Sequence, residues 1–444
     1  MSLRLADLAT CFEGVIPSII ATAAADGMPN VSYLSHVVRV DDDHVALSNQ
    51  FFAKTAANVR ANPQVLLILV DGLTGAQYQL DISFVRSVDA GPLFGRIARQ
   101  LKASSAQVGM AEVMRLRSAD IFRVHTIAAV PSPGGTTPVV RPAPDLMALA
   151  GAVAAIERQV SAEGVIDSLL AAVRQILGCD HALVLVPDVP RGVLITMGSM
   201  GYARSGLGSE VAMDEGLIGE AAVSGVTIKV SDMSRVRRLG AAMGLEADEA
   251  ENASRSVAFP VLPGTMSQIA LPMLARGGLA GVLFAESTAR LAFRDEDEAV
   301  LQILAAQAAG ALRAVEREAD TERAALPVGA AKPGVGRGIR VVHHRFDDSV
   351  FVDGVYVIKG VAGLLLRQML HWHQAEGRNV FSNRELRLAL GARMPDIKDN
   401  LETRLLLLRR RLEEKGAALR LERAGRGQVR LVLEGPLVLE AERD

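Results

Sequence analysis

VPSPGGTTPVVRPAP, residues 130–144, places proline at positions 131, 133, 138, 142 and 144. Each proline lacks a backbone N–H and fixes φ, so this density permits neither a helix nor a central strand. The stretch therefore divides the chain. A second stretch, LPVGAAKPGVGRG at 326–338, has the same character. The cuts leave segments of about 130, 180 and 105 residues, each the size of one domain.

The 444 residues are half apolar, enough for each segment to bury a core. Aromatics make up 4%, with the single tryptophan at Trp372, so those cores rest on Ala, Val and Leu. A net charge of -2 gives the whole chain no bias toward nucleic acid or toward acidic partners. Cys11 and Cys179 form no disulfide framework and no zinc site by themselves, which fits a reducing cytoplasm. Each reads as a small buried hydrophobe. Met1–Glu13 lacks the layout of a signal peptide, and no run approaches the ~18–20 apolar residues of a membrane span. A cytoplasmic protein without a membrane partner is expected.

N-terminal to the first linker the pattern predicts a small barrel of short strands. Strands are expected at Pro17–Ala24, Val31–Val40, His44–Ser48, Val65–Val70, Tyr78–Val85 and Ile121–Ile127. Helices are expected at Phe51–Ala61, ending before Asn62-Pro63, and at Pro92–Leu101. Asp26-Gly27 is a hairpin signal. Ser48-Asn49-Gln50-Phe51-Phe52-Ala53-Lys54-Thr55-Ala56, with Asn62-Pro63 behind it, puts a lysine and hydroxyls at a strand-to-helix junction. A helix N-terminus offers free N–H groups to an anion, and Lys54 adds a charge. This segment, 1–129, resembles the pyridoxamine 5′-phosphate oxidase-like FMN-binding split barrel. The resemblance implies FMN binding by Ser48, Asn49, Lys54 and Thr55, with deazaflavin or haem as alternatives, and a homodimer with the groove at its interface. Ser32 stands where those oxidases carry a second phosphate-binding arginine. Their arginine-rich substrate loop is replaced by the proline linker of 130–146, so vitamin oxidation is not expected. A lone His36 on the strand facing this region reads as structural.

Between the linkers, a helical period runs from Leu146 to Leu177. Strands are expected at Ala182–Val186, Val193–Met197, Ile228–Val230, Ser256–Leu262, Gln268–Met273 and Leu279–Ala285. Gly216–Ser224 is a short helix, and a long one from Asp295 to about Glu318 closes the unit, with Asp295 as its N-cap. Strands bracketed by helices imply α+β. Gly216-Leu217-Ile218-Gly219-Glu220-Ala221, Val230-Ser231-Asp232, Gly281-Val282-Leu283-Phe284-Ala285 and Phe293-Arg294-Asp295-Glu296-Asp297 resemble the stretches that mark a GAF domain, here 147–318. The resemblance implies a small-molecule pocket. Its lid would be Met233–Ser254, where Arg235, Arg237 and Arg238 would hold an anionic ligand.

Beyond the second linker, 319–340, strand-like Val350–Ile358 is broken at Asp353-Gly354. Helical patterns follow at Val361–His373, Asn383–Leu388 and Asp396–Lys415, then a hairpin over Ala418–Leu433. From Arg378 to Arg430 there are 14 Lys and Arg against 7 Asp and Glu, a local +7. Residues 341–440 resemble the winged helix-turn-helix effector domain of OmpR/PhoB-type regulators. LETRLLLLRRRL (401–412) sits where that family has its recognition helix, and 420–431 where it has its wing. The resemblance implies DNA contacts by Lys398, Thr403, Arg404, Arg409, Arg410, Arg423, Arg426 and Arg430. Ile397, Leu401, Leu405, Leu408 and Leu412 share a core face. Leu406 and Leu407 fall off it, where relatives carry arginine, and leucine cannot hydrogen-bond a base edge. They suit docking against protein.

The fold class expected is multidomain α+β: split β-barrel, GAF α/β sandwich, winged helix-turn-helix. The function expected is a sensory one-component transcriptional regulator with DNA and a small ligand as partners. The alternatives are a flavin-dependent oxidoreductase with regulatory domains and a signalling scaffold whose winged helix binds protein. No nucleophile–base pair, phosphate-binding Walker loop or metal cluster stands out, so neither a catalytic residue nor a metal ligand is assigned.

Overall fold

The computed structural model describes residues 3–34, 36–49, 53–106, 116–131, 142–213, 215–234, 257–321, 338–390, 401–425 and 427–440. Both expected linkers lie mostly outside these residues.

The N-terminal unit opens with a 3-10 helix, Leu5–Glu13, that buries Leu5, Leu8 and Cys11. Strands β1 (Ser18–Ala23), β2 (Pro29–Leu34), β3 (Val37–Arg39), β4 (His44–Asn49), β5 (Gln64–Val70), β6 (Gln77–Val88) and β7 (Ser118–Val130) follow, with helices α1 (Ala53–Ala61) and α2 (Pro92–Ala106). They form one antiparallel sheet in the order β2-β1-β5-β6-β7-β4-β3. The single strand expected over Val31–Val40 is two strands. β2 and β3 are neighbours in sequence but hold opposite ends of the sheet order, so the chain between them joins the two edges and curls the sheet into a half-barrel. Leu67, Leu69, Leu80, Ile82 and Phe122 fill it.

The central unit contains α3 (Leu146–Glu157), α4 (Ala162–Leu177), β8 (His181–Asp188), β9 (Val193–Met200), β10 (Glu210–Ala212), α5 (Gly216–Ser224), β11 (Ile228–Val230), β12 (Ser267–Ala275), β13 (Gly278–Ser287) and α6 (Asp295–Thr321). The helical period expected to run unbroken to Leu177 is two helices. Ser161 ends the first register by accepting a bond from the Gly164 N–H at 3.1 Å, which caps α4. At α6, Asp295 is the first helical residue and not the cap; Arg294 holds the cap position, and the Asp297 carboxylate reaches back to accept its N–H at 3.0 Å. Residues 257–262 form no strand. The six strands order as β10-β9-β8-β13-β12-β11. Side chains alternate along β8, so Val184 and Val186 face α4 and α6 while Leu183 and Leu185 face α5.

The C-terminal unit has β14 (Ile339–His343), β15 (Val350–Val352), β16 (Val355–Ile358), α7 (Val361–Glu376), β17 (Val380–Ser382), α8 (Asn383–Leu390), α9 (Leu401–Glu414), β18 (Leu419–Gly425), β19 (Gln428–Leu433) and β20 (Leu437–Leu439). One sheet orders β16-β15-β14-β20, and β20 pairs parallel to β14. A second, β17-β19-β18, holds the expected hairpin. One continuous apolar core runs from α3, α4 and α6 of the central unit into α7, α8 and α9.

α8 starts on a capping box. The Ser382 hydroxyl accepts the Glu385 N–H at 3.3 Å, and the Glu385 carboxylate accepts the Ser382 N–H at 3.0 Å. Partial burial pushes the Glu385 carboxyl up. The bonds from Ser382 and from Arg378 outweigh it and hold the carboxyl below the ordinary value of 4.5. A depressed carboxyl stabilises the fold above its ordinary value, and that stability is lost as pH falls through the folded one. The urea midpoint of the wild type is therefore expected to fall below about pH 4.5 more steeply than that of Glu385→Gln, read by circular dichroism across a pH series.

Candidate functional site

Three places collect the residues that the sequence singles out. At the first, α1 follows β4 across the barrel rim. Lys54 is exposed in the first turn of α1, and Thr55 is buried beside it. The Thr55 hydroxyl accepts from the Asn30 amide at 3.1 Å and lies 3.0 Å from the Ser32 hydroxyl. Asn58 and Thr22 extend this polar seam at 3.1 Å. Ser32 thus reaches the start of α1. Ser48 and Asn49 turn elsewhere. The Ser48 hydroxyl donates to the His36 carbonyl and accepts the His36 N–H, both at 3.2 Å. The Asn49 amide donates to Asp120 at 3.2 Å. Among the described residues the cradle therefore offers an anion one cation, one helix start and a hydroxyl–amide seam, with Ser48 and Asn49 engaged elsewhere.

The second place is the α5 face of the central sheet. Leu183, Leu185, Leu194, Ala270, Val282 and Phe284 line it and pack against Leu217, Ile218 and Ala221. Arg235, Arg237 and Arg238 lie outside the described residues. A polar end that the sequence did not reveal sits at the margin. The Tyr202 ring meets His181 edge-on at 5.4 Å, and Gln268 donates to Glu286 at 3.1 Å. Burial, then the Glu286 carboxylate, pushes the Tyr202 phenol far up, so it stays protonated. Both cysteines are buried as expected. Burial raises the Cys11 thiol to about 12 and the Cys179 thiol to about 11, which leaves neither a thiolate at neutral pH.

The third place is α9. Four consecutive leucines, 405–408, at about 100° each cover most of a helix circumference. Such a helix has to be covered nearly all round, and it is: Leu405, Leu406, Leu407 and Leu408 are all buried. One side packs on the C-terminal unit's own α7 and β18, and the other meets α4 and β9 of the central unit. The arginines expected to face DNA go with it. Arg404 donates to the Pro187 carbonyl at 3.1 Å and lies 3.4 Å from the Asp188 carboxylate. Their side chains are 4% and 2% exposed. Arg410 donates to the Met197 carbonyl at 2.8 Å and to Asp167 at 2.6 Å. Arg409 pairs with Glu163, and Arg423 donates to the Val160 carbonyl at 2.9 Å. Thr403 is buried. Arg430 is exposed, while Lys398 and Arg426 lie outside the described residues. An open reading face on α9 is thus corrected to a face closed by the central unit.

A fourth contact ties the barrel to the central unit. Lys229, buried on β11, donates to Glu13 at 2.8 Å and lies 3.3 Å from Glu298. The Ser231 hydroxyl donates to the other Glu13 oxygen at 2.5 Å. Burial lowers the ammonium's pKa, and Glu13 and Glu298 more than reverse that, so Lys229 is charged at neutral pH. No cluster of three or more His, Cys, Asp or Glu suited to a metal occurs among the described residues. No helix among them is long and apolar enough to cross a membrane.

Comparisons with known proteins bear on two of the three units. Residues 7–129 match the family described as pyridoxamine 5′-phosphate oxidase, and residues 159–313 match the GAF domain family. No curated protein matches the chain. Among solved structures, the chain is similar to the GAF domain of an Acinetobacter phosphoenolpyruvate-protein phosphotransferase, at 19% identity over 40% of this chain and 96% of that one, with a TM-score of 0.32. It is also similar to an FMN-binding protein from Syntrophomonas wolfei subsp. wolfei, at 15% identity over 29% and 86%, TM-score 0.25. A third is HupZ of Group A Streptococcus, at 15% identity over 30% and 100%, TM-score 0.24.

Removing one member of a buried ion pair strands the other charge, at a cost of about 3–5 kcal/mol. Asp188→Ala is expected to destabilise the joined central and C-terminal units by that amount. The double variant Asp188→Leu/Arg404→Met should recover most of it, read as urea midpoints.

Proposed function

We propose that this chain is a sensory one-component transcriptional regulator. A flavin-type cofactor at the split barrel, or a small ligand at the GAF domain, sets the state of a C-terminal DNA-binding unit. The observation that carries this reading is the continuous core between the GAF domain and the C-terminal unit. A ligand that favours one packing of the GAF sheet then biases α9 by its differential affinity for the two arrangements.

The order of elements supports a winged helix: three strands, three helices and a hairpin whose β19 pairs with β17, with β20 returning to complete the first sheet. The local +7 charge supports phosphate contacts. At the barrel, Lys54, the Thr55 hydroxyl and the first turn of α1 would hold the phosphate of FMN, and a bound flavin would supply a redox-responsive group. Exposed Val31 and Tyr33 on the edge strand β2 suit pairing of two copies. At the GAF domain, Tyr202 and Glu286 put polar groups at the margin of the apolar α5 face, where a small ligand would meet them. A second reading, a scaffold whose C-terminal unit docks protein, is favoured by Leu406 and Leu407, which pack against a protein surface and not toward solvent.

Two measurements test the regulator. FMN titrated into the purified chain should bind, and Lys54→Ala should weaken it about tenfold with the circular dichroism spectrum unchanged; loss of about one charge–phosphate contact has that size. Retention of duplex DNA should fall steeply with salt. A chain that ignores DNA even at low salt, with every ligand state tried, leaves the scaffold reading.

A further inference from the structure

We infer that the GAF domain carries an acidic surface that stands in for DNA, and that it occupies the basic face of the C-terminal unit in the resting chain. The inference rests on the DNA-binding reading above and names how that site is regulated.

The occupied groups are arginines from both the helix and the hairpin. Arg404, Arg409 and Arg410 lie on α9, and Arg423 lies on β18. Their partners are the carboxylates of Glu163, Asp167 and Asp188 and the main-chain oxygens of Val160, Pro187 and Met197. Carboxylate pairs and carbonyl oxygens offer a guanidinium the same acceptor chemistry as phosphate oxygens and base edges. Lys359 adds a contact to Glu210 at 3.2 Å. All of these place the cation on the C-terminal unit and the acceptor on the GAF domain; Ser205, which donates to Glu414 at 2.7 Å, runs the other way.

The chemistry of the seam marks it as one that opens. Arg404 and Asp188 are taken fully out of water, and an apolar pair of the same volume would hold a permanent joint at least as well. Interfaces between domains that move are more polar than fixed ones. Leu406 and Leu407 supply the opposing bias. Opening exposes them, so the closed arrangement is the resting one and a ligand or DNA has to release it.

The release has a physical route. Pro187, Asp188 and Met197 sit on β8 and β9. The same two strands turn Leu183, Leu185 and Leu194 toward α5, against which they pack. A ligand that parts α5 from the sheet displaces the strand pair on which the DNA-like acceptors are mounted.

The test uses the full chain. Glu163→Gln/Asp167→Asn removes two acceptor charges on α4, where both side chains are partly exposed and folding is not at stake. Asp89→Asn/Glu296→Gln removes the same charge at exposed positions away from the seam. Hydrogen exchange of α9 reports opening, and anisotropy of a fluorescein-labelled duplex of mixed sequence at low salt reports DNA binding. The expected result is faster α9 exchange and at least about tenfold tighter DNA binding in the first variant alone. Unchanged α9 exchange in that variant overturns the inference, because the carboxylates then do not hold the seam. Faster exchange with DNA affinity equal to a wild type that already binds overturns it too. Faster exchange with no DNA binding in any chain overturns the DNA reading itself, and the stand-in with it.

Discussion

A helix with leucine at four successive positions has no face it can give to water. α9 resolves this by being covered from two directions, by its own unit and by the GAF domain. Everything about the C-terminal half follows from that coverage. The two cores merge, the flanking arginines are carried into the seam, and the seam has to supply acceptors for them or strand buried charge. Asp188 is the residue that meets this demand deepest in the interior. Glu163 and Asp167 meet it at the edge, where water shares the load and the two pairs together contribute on the order of 1–2 kcal/mol.

The other end of the GAF sheet is fastened by a different logic. Lys229 sits among Glu13, Asp295 and Glu298, three carboxylates from two units, and the 3-10 helix that delivers Glu13 also buries Leu5 and Leu8 in the barrel. The GAF sheet is therefore gripped at both ends by charged contacts whose partners belong to neighbouring units. Either neighbour can report on its packing.

Much of this was legible in the sequence. The strand and helix runs and the hairpin of the C-terminal unit were read close to their observed bounds. Local pattern failed where pairing or tertiary burial decides. Val31–Val40 reads as one strand because nothing local shows that its two halves pair with different neighbours. Ser48 looked like a phosphate donor, but the backbone of His36, just before β3, engages its hydroxyl. Asp188 resembles any solvated turn aspartate at a strand end, and only the arrival of Arg404 makes it a buried partner. The quartet of leucines was the one available signal: read as a full circumference, it already required a second surface against α9.

The parallel pairing of β20 with β14 has a consequence for biosynthesis. The first strand of the C-terminal unit waits for the last, so that sheet cannot close until residue 439 has left the ribosome. The GAF domain is complete at Thr321. At about 5–20 residues per second, translation leaves an interval of roughly 6–24 seconds between the two events. For the first part of that interval, until Leu401–Gly425 have been made, the GAF domain is finished and its arginine-binding surface is bare. A chaperone meeting the nascent chain would encounter α9's leucines before their cover is in place, and the GAF domain, already folded and tethered a short linker away, is the surface at highest local concentration to receive them.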